Sequence, residues 1–293
     1  MAKYRVVHNN HYSFAEAVNH CTLEARLKPL NNKKQTVEFS QFVVRPLASS
    51  QHSELDQFGN HVNYFEIARG LRSFSLSAIH TVKTVPLVSI DLAASSPWEN
   101  LVVATDADTD TSAYVGFNPE LTDYARVSFR PDRPMLEAAF DLMQRINADF
   151  QYHPGTTRVD TTAIEAFQFK RGVCQDFSHV GIACLRSLAL PVRYVSGYVD
   201  TKVNSKPPHR VAADASHAWF SVYDPEFDWV DFDPTNNKMP GETYITLAYG
   251  HDYDDVAPLK GQVDTQGWNK LKVDVDMTAL RCLPPPSACP ISP

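Results

Sequence analysis

Arg171-Gly172-Val173-Cys174-Gln175-Asp176-Phe177-Ser178-His179 sets a cysteine at the boundary between two kinds of local structure. Gly172 permits a sharp turn. Beyond it, Phe177, Val180, Cys184, Leu185 and Leu188 recur at helical spacing as far as Pro191. Cys174 is therefore expected in the first turn of a helix, where backbone N–H groups lack partners and the helix dipole favours an anion. A thiolate in that place is a nucleophile. Cys184, on the apolar face of the same helix, reads as core.

Upstream of this helix the texture is also helical. Leu136, Phe140, Met143, Ile146 and Phe150 share one face after Pro134, and Thr162-Ala163-Ile164-Glu165 matches a capping box. Downstream the pattern turns to strands over 192–199, 217–223, 229–233 and 244–249, with residues 224–228 as a hairpin loop. If Tyr223 faces Trp229, then Trp219 faces Asp233, and His217 becomes the diagonal neighbour of Asp233 on the same sheet face. Such neighbours lie about 7–8 Å apart at the backbone. A one-residue slip would separate them. In that register His217 can take the Cys174 proton and Asp233 can hold the imidazole. The N–H groups of Cys174 and Gln175 are candidates to face an oxyanion. Tyr152 is a further candidate donor, and Trp219 is expected either to line the site or to pack beneath it. Asp233 also precedes Pro234, so a turn-forming role competes with the catalytic one.

The first ninety residues read as strands, at 4–8, 21–27, 35–45, 62–67 and 74–85, separated by turn signals such as Asp56-Gln57-Phe58-Gly59-Asn60. Strands at this spacing without helices point to an antiparallel β-sandwich. Lys270 to Asp276 alternates strictly, like an edge strand. The acidic residues Asp106, Asp108 and Asp110 lack the glycine and terminal glutamate of a calcium loop. His209, His217 and His251 have no metal-ligand spacing, so no metal or organic cofactor is expected. Five cysteines among 293 residues are odd in number and scattered, as reduced thiols are. A formal net charge of −7 argues against nucleic acid or an anionic membrane as partner. No apolar run is long enough for a membrane span or a signal core, which leaves a cytoplasmic address as the expectation.

Four motifs together resemble the bacterial transglutaminase-like core: Gly172-Val173-Cys174-Gln175-Asp176-Phe177, Pro191-Val192-Arg193-Tyr194-Val195-Ser196-Gly197-Tyr198, Ser216-His217-Ala218-Trp219 and Phe232-Asp233-Pro234-Thr235-Asn236. They stand in the family's order across residues 135–260. The first ninety residues, including the turn at 56–60, are similar to the β region that often precedes this core. Residues 250–255 resemble a family segment with no assigned role. Asp231 departs from the pattern, which commonly has a small residue there. The resemblance implies a papain-like fold in which Cys174, His217 and Asp233 form a catalytic triad.

The expectation is an α+β chain, with an N-terminal β-sandwich at 1–90, a catalytic domain at 91–283 and a loose proline-rich tail at 284–293. Its expected function is that of a cysteine peptidase or amidase acting on peptides or proteins through a thioester. Acyl transfer to an amine is the alternative, and a non-catalytic scaffold a third reading.

Overall fold

The computed structural model describes residues 1–86, 89–102, 112–201, 216–264 and 267–280. The acidic run at 106–110, His209, Cys282, Cys289 and the tail at 284–293 lie outside them. The architecture is α+β, with two antiparallel sheets and a helical layer.

The first sheet is built on two unusually long strands. β1 (Ala2–Ala25) and β4 (His61–Thr84) pair antiparallel from Ala2↔Thr84 to Ala25↔Asn63. The sequence predicts two strands in each of these stretches, at 4–8 and 21–27 and at 62–67 and 74–85. Backbone pairing instead continues through a register shift between Ser13 and His20, where the sheet bends. Each half of the long pair then finds its own neighbours. β2 (Gln35–Arg45) flanks the C-terminal half of β4, and β3 (Ser50–Leu55) the N-terminal half. Phe42 of β2 reaches Phe65 of β4 with ring centroids 5.6 Å apart, so the two halves face each other. The predicted sandwich is thus one six-stranded sheet folded over on itself.

The first sheet also takes in strands from far beyond residue 90. β11 (Leu259–Val263) and β12 (Asn269–Ala279) both pair with β1 and complete the first sheet. Alternation in 270–276 identifies an edge strand, but periodicity carries no information about which sheet it joins.

The chain between these strands forms the second layer. A short 3-10 turn (Leu92–Ala94) and the helices α1 (Glu99–Val102), α2 (Pro119–Arg126), α3 (Met135–Asp149), α4 (Ala163–Phe169) and α5 (Cys174–Arg186) come first. The Thr162–Glu165 capping box opens α4 as expected. Two short strands, β5 (Gln151–Tyr152) and β6 (Arg171–Gly172), pair in parallel just before α5. Then follows a four-stranded sheet in the order β10 (Tyr244–Gly250), β7 (Val192–Val199), β8 (His217–Asp224), β9 (Asp228–Phe232). The helix α6 (Tyr253–Val256) leads back to the first sheet. Residues 176–186 of α5 are all buried, between the other helices and the β7–β8 face.

β10 lies at the edge of its sheet, and an unpaired edge is costly when covered. Amide side chains from the first sheet satisfy it. Gln35 donates to the Thr246 carbonyl at 2.8 Å and accepts from the Thr246 N–H at 2.7 Å. Asn60 does the same for Tyr249, at 2.7 and 2.8 Å. Thr246 falls at a register shift in β10, where ladder bonding to β7 is interrupted. The turn that presents Asn60 depends on Asp56, whose carboxylate accepts from the N–H groups of Phe58 and Asn60, and on Gly59 at φ +79°. Asp231, the departure from the family pattern, is drawn into the same contact, where Lys34 reaches its carboxylate at 2.6 Å.

Replacing Asn60 by alanine leaves two partly buried backbone groups of Tyr249 without the partners they have here. The expected loss is about 2–4 kcal/mol in urea unfolding. Lys33→Ala, which removes an exposed ion pair with Asp228 on the same contact, should leave the midpoint unchanged. Equal effects of the two substitutions would refute this account of the interface.

Candidate active site

β8 and β9 meet in the register read from the sequence. Tyr223 pairs with Trp229 and Phe220 with Phe232, and the ladder stops one residue short of Asp233. The hairpin is tighter than predicted, because Asp224 accepts from the N–H groups of Glu226 and Phe227 and residue 228 takes φ +62°. His217 Nε2 lies 2.7 Å from Asp233 Oδ2, and both side chains are wholly buried.

Asp233 serves as turn former and imidazole partner at once. Oδ1 accepts from the N–H groups of Thr235 and Asn236, at 2.9 and 3.2 Å. Oδ2 accepts from His217, from the Asn236 amide at 2.8 Å and from the Tyr244 hydroxyl at 2.8 Å. Burial opposes the charged carboxylate, yet His217 and these donors hold it below the ordinary carboxylate range. Burial likewise opposes an imidazolium at His217, but the Asp233 charge and hydrogen bond outweigh it and raise the ring well above its ordinary value, with Cys174 adding to the rise. Since a carboxylate only accepts, Nε2 carries a hydrogen and Nδ1 is left to face the thiol. Among the described residues no group makes a regular hydrogen bond to Nδ1.

Of the cysteines described, Cys21 and Cys184 are buried and Cys174 is partly exposed. Burial pushes the Cys21 thiol up to about 11 and the Cys184 thiol up to about 12. Cys174 is the first residue of α5, as the sequence predicts. Gly172 plays a different part from the turn expected of it. It lies extended in β6, and a Cβ there would sit 2.3 Å from Asp176 Oδ2. That oxygen folds back to accept from the Val173 N–H and the Thr157 hydroxyl, both at 2.7 Å. The cap leaves the Cys174 and Gln175 N–H groups with no partner inside the helix.

A cleft of about 270 Å³ opens over Cys174 and His217. The β5–β6 pairing brings Tyr152 opposite Gly172 and so into this cleft. Gln175 lines it too, its side-chain amide tied to the Val159 carbonyl at 2.8 Å. Trp219 does not line it. Its fully buried ring packs beneath, tilted against His217 at 6.0 Å and edge-on to Tyr244 at 5.4 Å between ring centres. Three side chains went unmarked in the sequence. Tyr244 gave no signal beyond a strand position, whereas Asn236 stood in a quoted motif. Tyr253, which lines the cleft, belongs to the segment at 250–255. Asp252 caps α6 there, and the buried His179 accepts the Tyr253 N–H at 3.1 Å. Burial lowers His179 to about 4, so it stays a neutral acceptor. Among the described residues no group of His, Cys, Asp and Glu is arranged to hold a metal ion.

Residues 122–234 match the family model described as Transglutaminase-like superfamily, and residues 4–83 that of the Bacterial transglutaminase-like N-terminal region. An uncharacterized Mycobacterium tuberculosis protein is 33% identical over 292 residues, covering 94% of this chain and 92% of its own length. A protein-glutamine gamma-glutamyltransferase of Pseudomonas aeruginosa is 29% identical over 103 residues, which is 34% of this chain and 15% of that protein. Among solved structures, a Cytophaga hutchinsonii protein described as a candidate cysteine protease superposes with a TM-score of 0.75 at 22% identity. It covers 97% of this chain and 93% of its own, and the likeness shows a shared fold.

The signs of the two titrations define a pH window for the pair. The His217 contribution to stability is complete below its ordinary value of 6.5 and is lost as pH rises through the raised one. The Asp233 contribution is present above its ordinary 3.8 and is lost as pH falls through the lowered one. Both are therefore full between about 4 and 6.5. In Asp233→Asn burial still opposes the imidazolium at His217, and only the smaller contribution of Cys174 is left to favour it. NMR of the ring nitrogens should then find it neutral at pH 7, where the parent is an imidazolium. An imidazolium persisting in the variant would contradict the assignment.

Proposed function

The chain belongs to the transglutaminase-like superfamily, and we propose that it hydrolyses amide bonds of peptides or proteins through Cys174, His217 and Asp233. The observation that carries this reading is the placing of a partly exposed thiol and a buried imidazole–carboxylate pair in one cleft. An imidazolium beside a thiol favours the thiolate. The sulfur attacks the carbonyl carbon, and the oxygen becomes an anion facing the Cys174 and Gln175 N–H groups. Collapse expels the amine, which takes its proton from His217, and leaves a thioester on Cys174. Water then attacks with His217 as base, releasing the acid and restoring the thiol. Throughout, Asp233 keeps the ring oriented while Tyr244 and Asn236 keep Asp233 in place. Tyr152, close to the thiol, is the further candidate donor to the oxyanion.

Acyl transfer uses the same thioester with an amine in place of water, and the similarity to the Pseudomonas gamma-glutamyltransferase favours it as the second reading. Hydrolysis is preferred because water reaches an open cleft at far higher concentration than any amine. A non-catalytic scaffold would have little use for a buried charge pair aimed at a thiol.

Incubation with a glutamine-containing peptide and a fluorescent primary amine separates the first two readings. Ammonia release should exceed amine incorporation, and equal amounts would establish the transferase instead. Cys174→Ala should lower turnover by about a thousandfold or more. Alkylation of Cys174 by iodoacetamide at pH 6 should slow about tenfold or more in His217→Ala, where the imidazolium is gone. An unchanged rate would remove the activated thiol, and the proposal with it.

A further inference from the structure

At about 270 Å³ the cleft over Cys174 falls below the range of about 300–1,000 Å³ usual for sites that enclose a ligand. It can seat a reacting carbonyl and little more. A second, larger recess of about 640 Å³ lies next to it. Its walls come from both layers of the molecule. One wall is the outward face of the first sheet, where Tyr64 pairs with Glu24 and Glu24 with Lys260, while Thr22 pairs with Gln262 one step along. The other wall belongs to the second layer and includes Tyr114, Val159 and Tyr253.

The two spaces share a wall. Tyr253 lines both. Val159 lines the recess while its carbonyl holds the side chain of Gln175, which lines the cleft. A molecule lying in the recess therefore ends one side chain away from the nucleophile. Lys260 reaches across to Asp254 at 2.8 Å in an exposed ion pair. Its lining mixes the polar groups of Thr22, Glu24, Lys260 and Gln262 with the apolar side chains of Val159, Ala257 and Leu259, which suits an occupant that carries hydrogen-bonding groups at regular intervals between apolar ones. An extended chain advances about 3.3 Å per residue and carries such groups at every step.

We propose that this recess binds the extended segment of a peptide substrate that flanks the reacting carbonyl, which makes the first sheet a specificity element of the enzyme. The proposal rests on the thiol chemistry and peptide substrate assigned above and adds the place on the molecule where the chain flanking the reacting carbonyl is held.

Affinity alkylation separates the two claims. Two sets of probes are compared with iodoacetamide on the full chain: randomised hexapeptides carrying an iodoacetyl group at the amino end, and hexapeptides carrying a chloromethyl ketone at the carboxyl end. Chloroacetone provides the peptide-free reference for the second set. Labelling of Cys174 is followed by mass spectrometry. If the recess binds peptide, at least one set labels Cys174 about tenfold or more faster than its peptide-free reference. In Thr22→Trp and Gln262→Trp, which fill the recess from the first sheet, the ratio of peptide rate to reference rate falls toward one. Taking the ratio within each variant removes any general loss of folded protein. If neither set outruns its reference by more than about twofold in the parent, or if the advantage survives both substitutions, the recess does not bind the peptide. That result leaves the activated thiol intact, since iodoacetamide labelling and its dependence on His217 report on the thiol separately.

Discussion

A carboxylate with no exposure to solvent must be answered by donors inside the protein, and the arrangement of this molecule can be traced from that requirement at Asp233. Two donors come from the turn that follows β9, one from His217 across the hairpin, one from the Asn236 side chain and one from Tyr244 on β10. Tyr244 is in place only if β10 is, and β10 is an edge strand whose irregular register leaves backbone groups unpaired. The amides of Gln35 and Asn60 supply what the neighbouring strand does not. A chain of contacts thus runs from a turn of the first sheet to the imidazole beside Cys174. The first sheet is part of the support of the site, even though it contributes no group to the chemistry.

His179 and His217 are equally buried, and they are driven in opposite directions. Desolvation acts alike on both. The difference lies in the partner: His217 meets a carboxylate that is itself fully satisfied, and His179 meets a backbone N–H that needs an acceptor. One ring is kept charged by the carboxylate within hydrogen-bond distance, and the other, with no carboxylate there, is kept neutral by burial. Burial by itself assigns no role to a histidine. Cys174 and Cys184 make the same point on one helix, where ten residues separate a thiol in a cleft from one sealed in the core.

Much of the site was legible because it is local. The place of Cys174 follows from a helix start, and the meeting of His217 with Asp233 follows from counting along a hairpin. Period-two geometry makes such counting reliable once one pair is known. What could not be read was the long-range part. Nothing in Lys270 to Asp276 says that its partner is β1, and nothing in Tyr244 says that its hydroxyl ends on Asp233. The single bent sheet was also hidden, since a bulge and a turn look alike in a run of polar residues. Gly172 was marked for the right position and the wrong reason: the constraint is the oxygen of Asp176 lying where a side chain would be.

The pairing of β1 with β11 and β12 has a consequence for synthesis. β1 leaves the ribosome with β2, β3 and β4 close behind it, but one of its two edges has no partner until the second layer has been made. At ordinary elongation rates that interval is roughly ten seconds or more. During it the nascent chain carries a long open strand edge, the kind of template on which other chains add. The last strands to emerge are the ones that remove it.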